Sequence, residues 1–342
     1  MSNGSRRSYA RLLLSLAVVL AIAEAEHAPR IRAQGAMGID PKLVSRASSG
    51  DSKAESELAL DYYLGQHGAR KDATQAAIWA KKAADQGDAD AQTLLGALYA
   101  KGEGVPQSVA QSIAWYRKAA EQGVAWAQTS LGLAYSNGEG VPQDYAKAMT
   151  WLHRAANQGN AMAQSEIGKM YHNGLGVPQD DAQAAEWFRK AAIQGDADAQ
   201  LDLGVLYDNG LGVPIDHTES VLWYLKAGEQ GVAEAQYDLG VAYYNGQGVT
   251  QDRAEAVKWY QKAAEQGMVG AQYNLGILYG HGWGVAQSYP RAYFWLAIAA
   301  ASGQKLEGID IVQARDEAAS HLSSSVLAQT RQETQRWMPQ QH

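Results

Sequence analysis

Residues 88–123 read DADAQTLLGALYAKGEGVPQSVAQSIAWYRKAAEQG. In the first fourteen of these, Ala91, Leu95, Leu98 and Tyr99 recur at helical spacing, and Asp88 stands where an amino-terminal cap is wanted. This predicts a helix, A, that stops at Gly102-Glu103-Gly104-Val105-Pro106, because glycine tolerates left-handed termination and proline orients the next helix. A second helix, B, starts from Ser108, carries Trp115 between the small residues Ser112 and Ala119, and ends at Gln122-Gly123.

The same stretch returns along the chain. Trp79, Trp115, Trp151, Trp187, Trp223, Trp259 and Trp295 are each 36 residues apart, and Gly87 through Gly303 keep the same step. So do Tyr99, Tyr135, Tyr171, Tyr207, Tyr243 and Tyr279. A fixed period of this length is a tandem array. Asn160 and Asp196 repeat the cap of helix A, while Asp144, Asp180, Asp216 and Asp252 repeat that of helix B. Gly96 costs a lone helix about 1 kcal/mol against alanine. Its return as Gly132, Gly168, Gly204, Gly240 and Gly276 implies a close crossing where a side chain would collide. One hairpin cannot bury its own indole, so each Trp is expected in the core between hairpins, with the Tyr register beside it.

The ends depart from the pattern. The first unit has one extra residue in its turn, Gly65-Gln66-His67-Gly68. The last has Ala286 in place of proline and gains Pro290. A tail over roughly 308–338 reads as two amphipathic helices split at Ser323-Ser324-Ser325, a cap on the last open face. The expected organisation is a signal segment 1–25, a flexible lead-in 26–45, a repeat array 46–303 and capping helices 304–342.

Composition narrows the function. The 342 residues include 35 Gly, 10 Trp, 2 Phe and no Cys, which removes disulfides, thiolate metal sites and cysteine nucleophiles together. A net charge of −7 argues against a nucleic-acid partner, which would require a basic face. Arg6, Arg7 and Arg11 precede an apolar run from Leu12 to Ala23 and a small-x-small end at Ala25, the pattern of a cleaved secretory signal. Twelve residues span about 18 Å as a helix, short of a hydrocarbon core of about 30 Å. The expected product is exported, periplasmic or secreted, with no membrane insertion after cleavage. Arg6-Arg7 leaves the general and twin-arginine routes both open.

The motif A-x-A-Q-x-x-L-G-x-x-Y-x-x-G-x-G-V-P-Q-D, then A-x-x-W-x-x-K-A-A-x-Q-G, resembles the Sel1-like repeat, a relative of the tetratricopeptide repeat. Residues 127–159, 163–195, 199–231 and 235–267 match it most closely, while the proline drifts to Thr250 and Ala286. The resemblance implies an all-α fold, a right-handed α/α superhelical solenoid of seven helix-turn-helix repeats with a helical cap. It also implies a protein-interaction scaffold, a role found in many exported bacterial members.

Alternatives with chemistry are weak. Ser302-Gly303-Gln304-Lys305 fits S-x-x-K, but it straddles a helix end and no S-D-N or K-T-G accompanies it. The eight His make no H-E-x-x-H and no close pair, and His172 and His281 sit in separate units. The G-x-G turns follow helices rather than strands and lack a P-loop lysine. No catalytic residue, metal ligand or cofactor site is therefore assigned.

Partner choice in such an array falls to residues that differ between units. Positions equivalent to 93, 97, 100 and 101 lie on neighbouring turns of helix A and are expected to be exposed. The first of these runs Thr93, Thr129, Ser165, Leu201, Tyr237, Tyr273, and the third Ala100, Ser136, His172, Asp208, Tyr244, Gly280. Aromatic groups gather towards the carboxy-terminal half. Tyr237, Asp238, Tyr244, Tyr273, Asn274 and His281, with Asp208 and His172, form the expected groove for a protein or peptide partner. A cell-wall glycan or peptide, bound to modulate an envelope enzyme, is the alternative occupant.

Overall fold

A computed structural model describes residues 38–337, and the expected signal segment lies outside these residues. Among the described residues there are seventeen α-helices, and extended pairing is limited to one bridge, Leu306 with Ile309. In chain order they are α1 (Pro41–Ser48), α2 (Ser52–Leu64), α3 (Ala73–Asp85), α4 (Ala89–Lys101), α5 (Val109–Glu121) and α6 (Ala125–Asn137). There follow α7 (Tyr145–Ala156), α8 (Ala161–Asn173), α9 (Asp181–Ile193), α10 (Ala197–Asn209), α11 (His217–Glu229) and α12 (Ala233–Asn245). The last are α13 (Arg253–Glu265), α14 (Val269–His281), α15 (Tyr289–Ala301), α16 (Ile311–Ser320) and α17 (Ser324–Trp337). Even-numbered helices from α2 to α14 are the A helices, and odd-numbered ones from α3 to α15 the B helices. The fold is an all-α solenoid.

The chain divides into two compact units, 1–179 and 180–342. In unit 1, α2 packs on α3, α4 on α5 and α6 on α7. In unit 2, α10 packs on α11, α12 on α13 and α14 on α15. Residues 41–45 correct the expected flexible lead-in. Asp40 caps α1 by accepting from the Lys42 N–H at 2.9 Å, and Leu43 and Ala47 bury against Ala54 and Leu58.

Local chemistry explains the hairpins. Asp88 accepts from the Ala91 N–H at 2.9 Å and Asp252 from the Glu255 N–H at 3.0 Å, each satisfying an otherwise orphaned donor. At Val124, Val232 and Met268 the cap side chain is missing, yet α6, α12 and α14 start at the same register. Packing therefore sets these starts even where the cap's contribution of about 1 kcal/mol is absent. Gly102, at φ 73°, ends α4, and its N–H bonds the Leu98 carbonyl. A Cβ at Gly104 would overlap the Ala73 carbonyl of the preceding hairpin, so the turn glycine is also the joint between hairpins. The close crossing inferred at Gly96 is present: a Cβ there would stand 2.8 Å from the Tyr116 ring.

A polar ladder, unexpected from the sequence, links successive hairpins. Gln122 Nε2 donates to Gln92 Oε1 at 2.8 Å and to the Gly87 carbonyl at 3.0 Å, while Gln92 Nε2 donates to the Ala84 carbonyl at 3.2 Å. Gln158 to Gln128, Gln230 to Gln200 and Gln266 to Gln236 repeat the 2.8 Å step. Gln86 opens the ladder on Glu55 at 2.6 Å. It ends at Gln272, whose Oε1 is buried without a donor, because Ser302 stands where the next glutamine would be.

The aromatic registers are partly corrected. Trp115, Trp223, Trp259 and Trp295 are buried, but Trp79, Trp151 and Trp187 are half-buried. A cation three residues on covers the outer face of each indole except the last, for example Lys118 over Trp115 at 3.9 Å and Arg154 over Trp151 at 4.5 Å. At Trp295 that position is Ile298, and Trp337 of α17 meets the indole edge-on at 5.3 Å instead. The Tyr register is half-buried except at Tyr279, since it sits on the last turn of each A helix beside the turn. Its backbone carbonyl accepts from the cap residue of helix B, as Tyr99 does from the Ser108 N–H at 2.9 Å.

Candidate functional site

Of the four positions expected to be exposed on the A helices, those equivalent to 93 and 97 form a row that lines a seam, while those equivalent to 100 are half-buried and those equivalent to 101 are mostly exposed. In unit 1, Thr93, Ala97, Thr129, Leu133 and Ser165 are buried. The hydroxyls of Thr93 and Thr129 turn back onto the carbonyls of Ala89 and Ala125, at 2.8 and 2.9 Å. In unit 2, Leu201, Tyr237 and Tyr273 occupy the row and are half-buried. The reason lies 33 residues on: a Cβ at Gly270 would stand 3.1 Å from Tyr237 Cε2, so the next A helix leans over this row. In unit 1 the position equivalent to Gly270 holds Trp126, which is buried. Unit 1 closes the seam and unit 2 leaves it partly open.

Four of the expected residues meet around one that the sequence reading missed. Tyr260, on α13, has its ring 5.7 Å from that of Tyr237, tilted by 51°. Asn274 hydrogen-bonds its hydroxyl, and Tyr244 and Asp238 lie close enough to act on it electrostatically. Burial first, and then Tyr237, raise the Tyr260 hydroxyl above the ordinary phenol range. Asp238 is a strongly perturbed carboxyl of unit 2. Burial disfavours its charge, Asp208 and Glu234 add like-charge repulsion, and its pKa is pushed up to about 7.

Asp208 connects this cluster to the turn edge. His217 Nδ1 lies 2.8 Å from Asp208 Oδ1, and Gln247 Nε2 approaches the same oxygen at 3.3 Å. One hairpin further on, the Arg253 guanidinium lies over the rings of Tyr244 and Trp283 at 5.4 and 5.2 Å. His281 stacks on Trp283 with centroids 4.4 Å apart, and the Trp283 side chain is 36% exposed. A Cβ at Gly284 would strike the Arg253 backbone, so the turn residue beside it is held against the start of the preceding B helix.

Tyr237, Asp238, Tyr244 and Asn274 are thus brought together, with Asp208 and His281 at the margin. Tyr273 stands apart: it packs near Val269, Ala299 and Ile311 with Leu306 of the cap, and burial raises its hydroxyl. His172 belongs to unit 1, where it is half-buried. Tyr260, Arg253 and Trp283 were missed. The signal for Trp283 was available: the middle of the turn runs Glu103, Glu139, Leu175, Leu211, Gln247, Trp283, a variable position between two fixed glycines. Tyr260 carried no such signal, because it repeats as part of the B-helix core.

Ser302 of the S-x-x-K stretch caps α15, its hydroxyl donating to the Ala299 carbonyl at 2.7 Å and accepting from the Gln304 N–H at 3.1 Å. Among the described residues, no three His, Cys, Asp or Glu side chains are grouped to hold a metal, and no helix is long and apolar enough to cross a membrane.

The family model for the Sel1 repeat matches seven consecutive stretches, 52–88, 89–124, 127–160, 161–196, 197–232, 233–268 and 269–304. A solved Sel1 repeat protein from Oxalobacter formigenes is 38% identical with a TM-score of 0.64, over 77% of this chain and 76% of that one. The crystal structure of c5321, described as a protective antigen present in uropathogenic Escherichia coli strains and displaying an SLR fold, is 29% identical with a TM-score of 0.50, covering 86% of each chain. Among curated proteins, the ERAD-associated E3 ubiquitin-protein ligase component HRD3A of Arabidopsis thaliana is 40% identical over 62 residues. That is 18% of this chain and 9% of the relative.

Proposed function

The chain belongs to the Sel1 repeat family, and on that premise we propose that it is an exported, non-enzymatic scaffold that holds a protein or peptide on the A-helix face of unit 2. Sel1 repeat proteins are generally protein-interaction scaffolds, and a stack of hairpins offers a long preformed surface at little entropic cost. The observation that carries the reading is the convergence of Tyr237, Asp238, Tyr244 and Asn274 around Tyr260, with Tyr237 half-buried in a row that unit 1 keeps closed. Aromatic groups held in place by a scaffold supply most of the binding energy when a partner covers them. Export rests on the basic, apolar and small-residue pattern of residues 1–25.

The test is in-cell crosslinking from a photoreactive residue at Tyr244, with mass spectrometry of the product. A Tyr237→Ala/Tyr244→Ala double variant with unchanged helicity is expected to lose the wild-type crosslink or pull-down partner. Retained capture by a folded double variant would remove this face from the reading. The exposed indole of Trp283 favours a second occupant, a cell-wall glycan or peptide stacked at the turn edge. Retention on purified peptidoglycan that Trp283→Ala abolishes would select it.

A further inference from the structure

Two successive turn edges of unit 2 bring the same three repeat positions together: the last turn of an A helix, the first residue of the following B helix and the middle of the next glycine turn. At the first edge these are Asp208, His217 and Gln247, and the group closes on itself. His217 Nδ1 lies 2.8 Å from Asp208 Oδ1, and Gln247 Nε2 approaches that oxygen at 3.3 Å and His217 Nδ1 at 3.0 Å. One period on, the same positions hold Tyr244, Arg253 and Trp283. A basic residue remains, and the carboxylate that met it has become a tyrosine ring.

The Arg253 guanidinium accordingly lies over two rings, and among the described residues it meets no carboxylate within ion-pair distance. The acids beside it in the chain are engaged elsewhere. Asp252 accepts from the Ala254 and Glu255 N–H groups as the cap of α13, and Glu255 pairs with Lys258 at 2.6 Å. Lys226 and Lys262 also lie over rings, but theirs is the register that covers core indoles from hairpin to hairpin. Arg253 stands off that register, and Arg253, Trp283 and His281 are all exposed. The platform is also held in place. The Tyr244 and Trp283 rings are 6.5 Å apart, His281 stacks on Trp283, and Gln251 Nε2 ties the turn to the Tyr244 carbonyl at 2.8 Å. An arginine positioned over rings keeps its N–H donors at the edge of the guanidinium plane, where a carboxylate is received by two parallel hydrogen bonds.

Resting on the scaffold reading above, we propose that the partner segment held by unit 2 is an acidic peptide, with an Asp or Glu carboxylate paired to Arg253 and the adjoining peptide packed on Trp283. The carboxylate supplies from outside what Asp208 supplies within the preceding edge. A basic segment would set its cation against Arg253, and a neutral one would cover the guanidinium without pairing it. Because the rings already position the arginine, little further ordering is needed when the partner arrives.

The test is selection of a random displayed-peptide library on the immobilised chain, with an Arg253→Gln/Trp283→Ala variant of wild-type helicity as the subtractive control. Enriched peptides are expected to carry an excess of Asp and Glu. Replacing the selected acid by its amide in the peptide, or Arg253 by Gln in the chain, should each weaken binding by about tenfold or more. Combining the two should cost little beyond either alone, because both remove the same pair. Enrichment without an acidic excess, acidic peptides that bind Arg253→Gln as tightly as wild type, or losses that simply add, overturn this inference and leave the scaffold reading standing. No enrichment over the control overturns it as well, and the Tyr244 crosslink then decides the scaffold reading by itself.

Discussion

Gln122 donates its side-chain amide to Gln92 Oε1, thirty residues earlier, at 2.8 Å, and Gln92 in turn donates to the Ala84 carbonyl that ends the preceding B helix. One glutamine thus closes the end of one helix and receives the next hairpin. Because Gln92 and Gln128 are both only 4% exposed, each step replaces water for groups that have no other partner.

Breaking a step should therefore cost more than a surface hydrogen bond. Gln158→Ala leaves Gln128 Oε1 and the Gly123 carbonyl without this donor, with an expected loss of about 1–3 kcal/mol in denaturant melts.

Extending the ladder should do the reverse. Ser302 sits in αR geometry at φ −63°, close to the −81° of Gln122, so Ser302→Gln can reach the orphaned Gln272 Oε1. A gain of about 1 kcal/mol is expected after the lost Ser302 cap bonds are set against it. An unchanged or lower melting temperature would count against the register.

The helix crossing gives a third expectation. Alanine is the better helix former by about 1 kcal/mol, yet a Cβ at Gly240 would lie 2.5 Å from the Tyr260 ring. Gly240→Ala should destabilise unit 2 by about 1–3 kcal/mol, because the ring is confined on its other side by Tyr237. A stabilised variant would show that the helices part freely there.

Asp238 makes stability depend on pH in the opposite sense to a salt-bridged carboxylate. Its folded pKa of about 7 lies above the unfolded value near 4, so the native state binds the extra proton between them. Stability from this group is full below about pH 4 and is lost as pH rises through 7. Asp238→Asn should gain roughly 1–3 kcal/mol over wild type at pH 8, allowing for partial solvent screening, and the gain should shrink towards pH 4. Parallel denaturant melts at the two pH values decide it.

The cap can be tested at Trp337, which meets Trp295 at 5.3 Å and Phe294 at 5.9 Å. Trp337→Ala should cost about 1–3 kcal/mol and raise acrylamide quenching of the remaining indoles. Phe294 stands at the outward B-helix position that holds Glu186 and Lys258 in other hairpins, and it is apolar here because α17 covers it.

The hairpins were legible because their causes are local. Asp88, Gly96, Gly102 and Trp115 each act within one period, and 36-residue recurrence amplifies every such signal. The expected close crossing at Gly96 was found, with Tyr116 as the ring it makes way for. The variable face was read less well. Tyr237 was expected to be exposed and instead leans on Tyr260 and Gly270, while Trp283, a turn residue the sequence reading missed, is 36% exposed.

What the sequence determined by itself was the unit: two helices, their caps, the glycine turn between them, and the repeat family they belong to. Tertiary structure alone decided which variable residues face each other. Tyr237 meets Gly270 across 33 residues and Asp238 feels Asp208 across 30, and neither separation matches the 36-residue period. Those pairings depend on the rotation between hairpins, which is fixed by the glutamine step and the indole packing rather than by any local propensity.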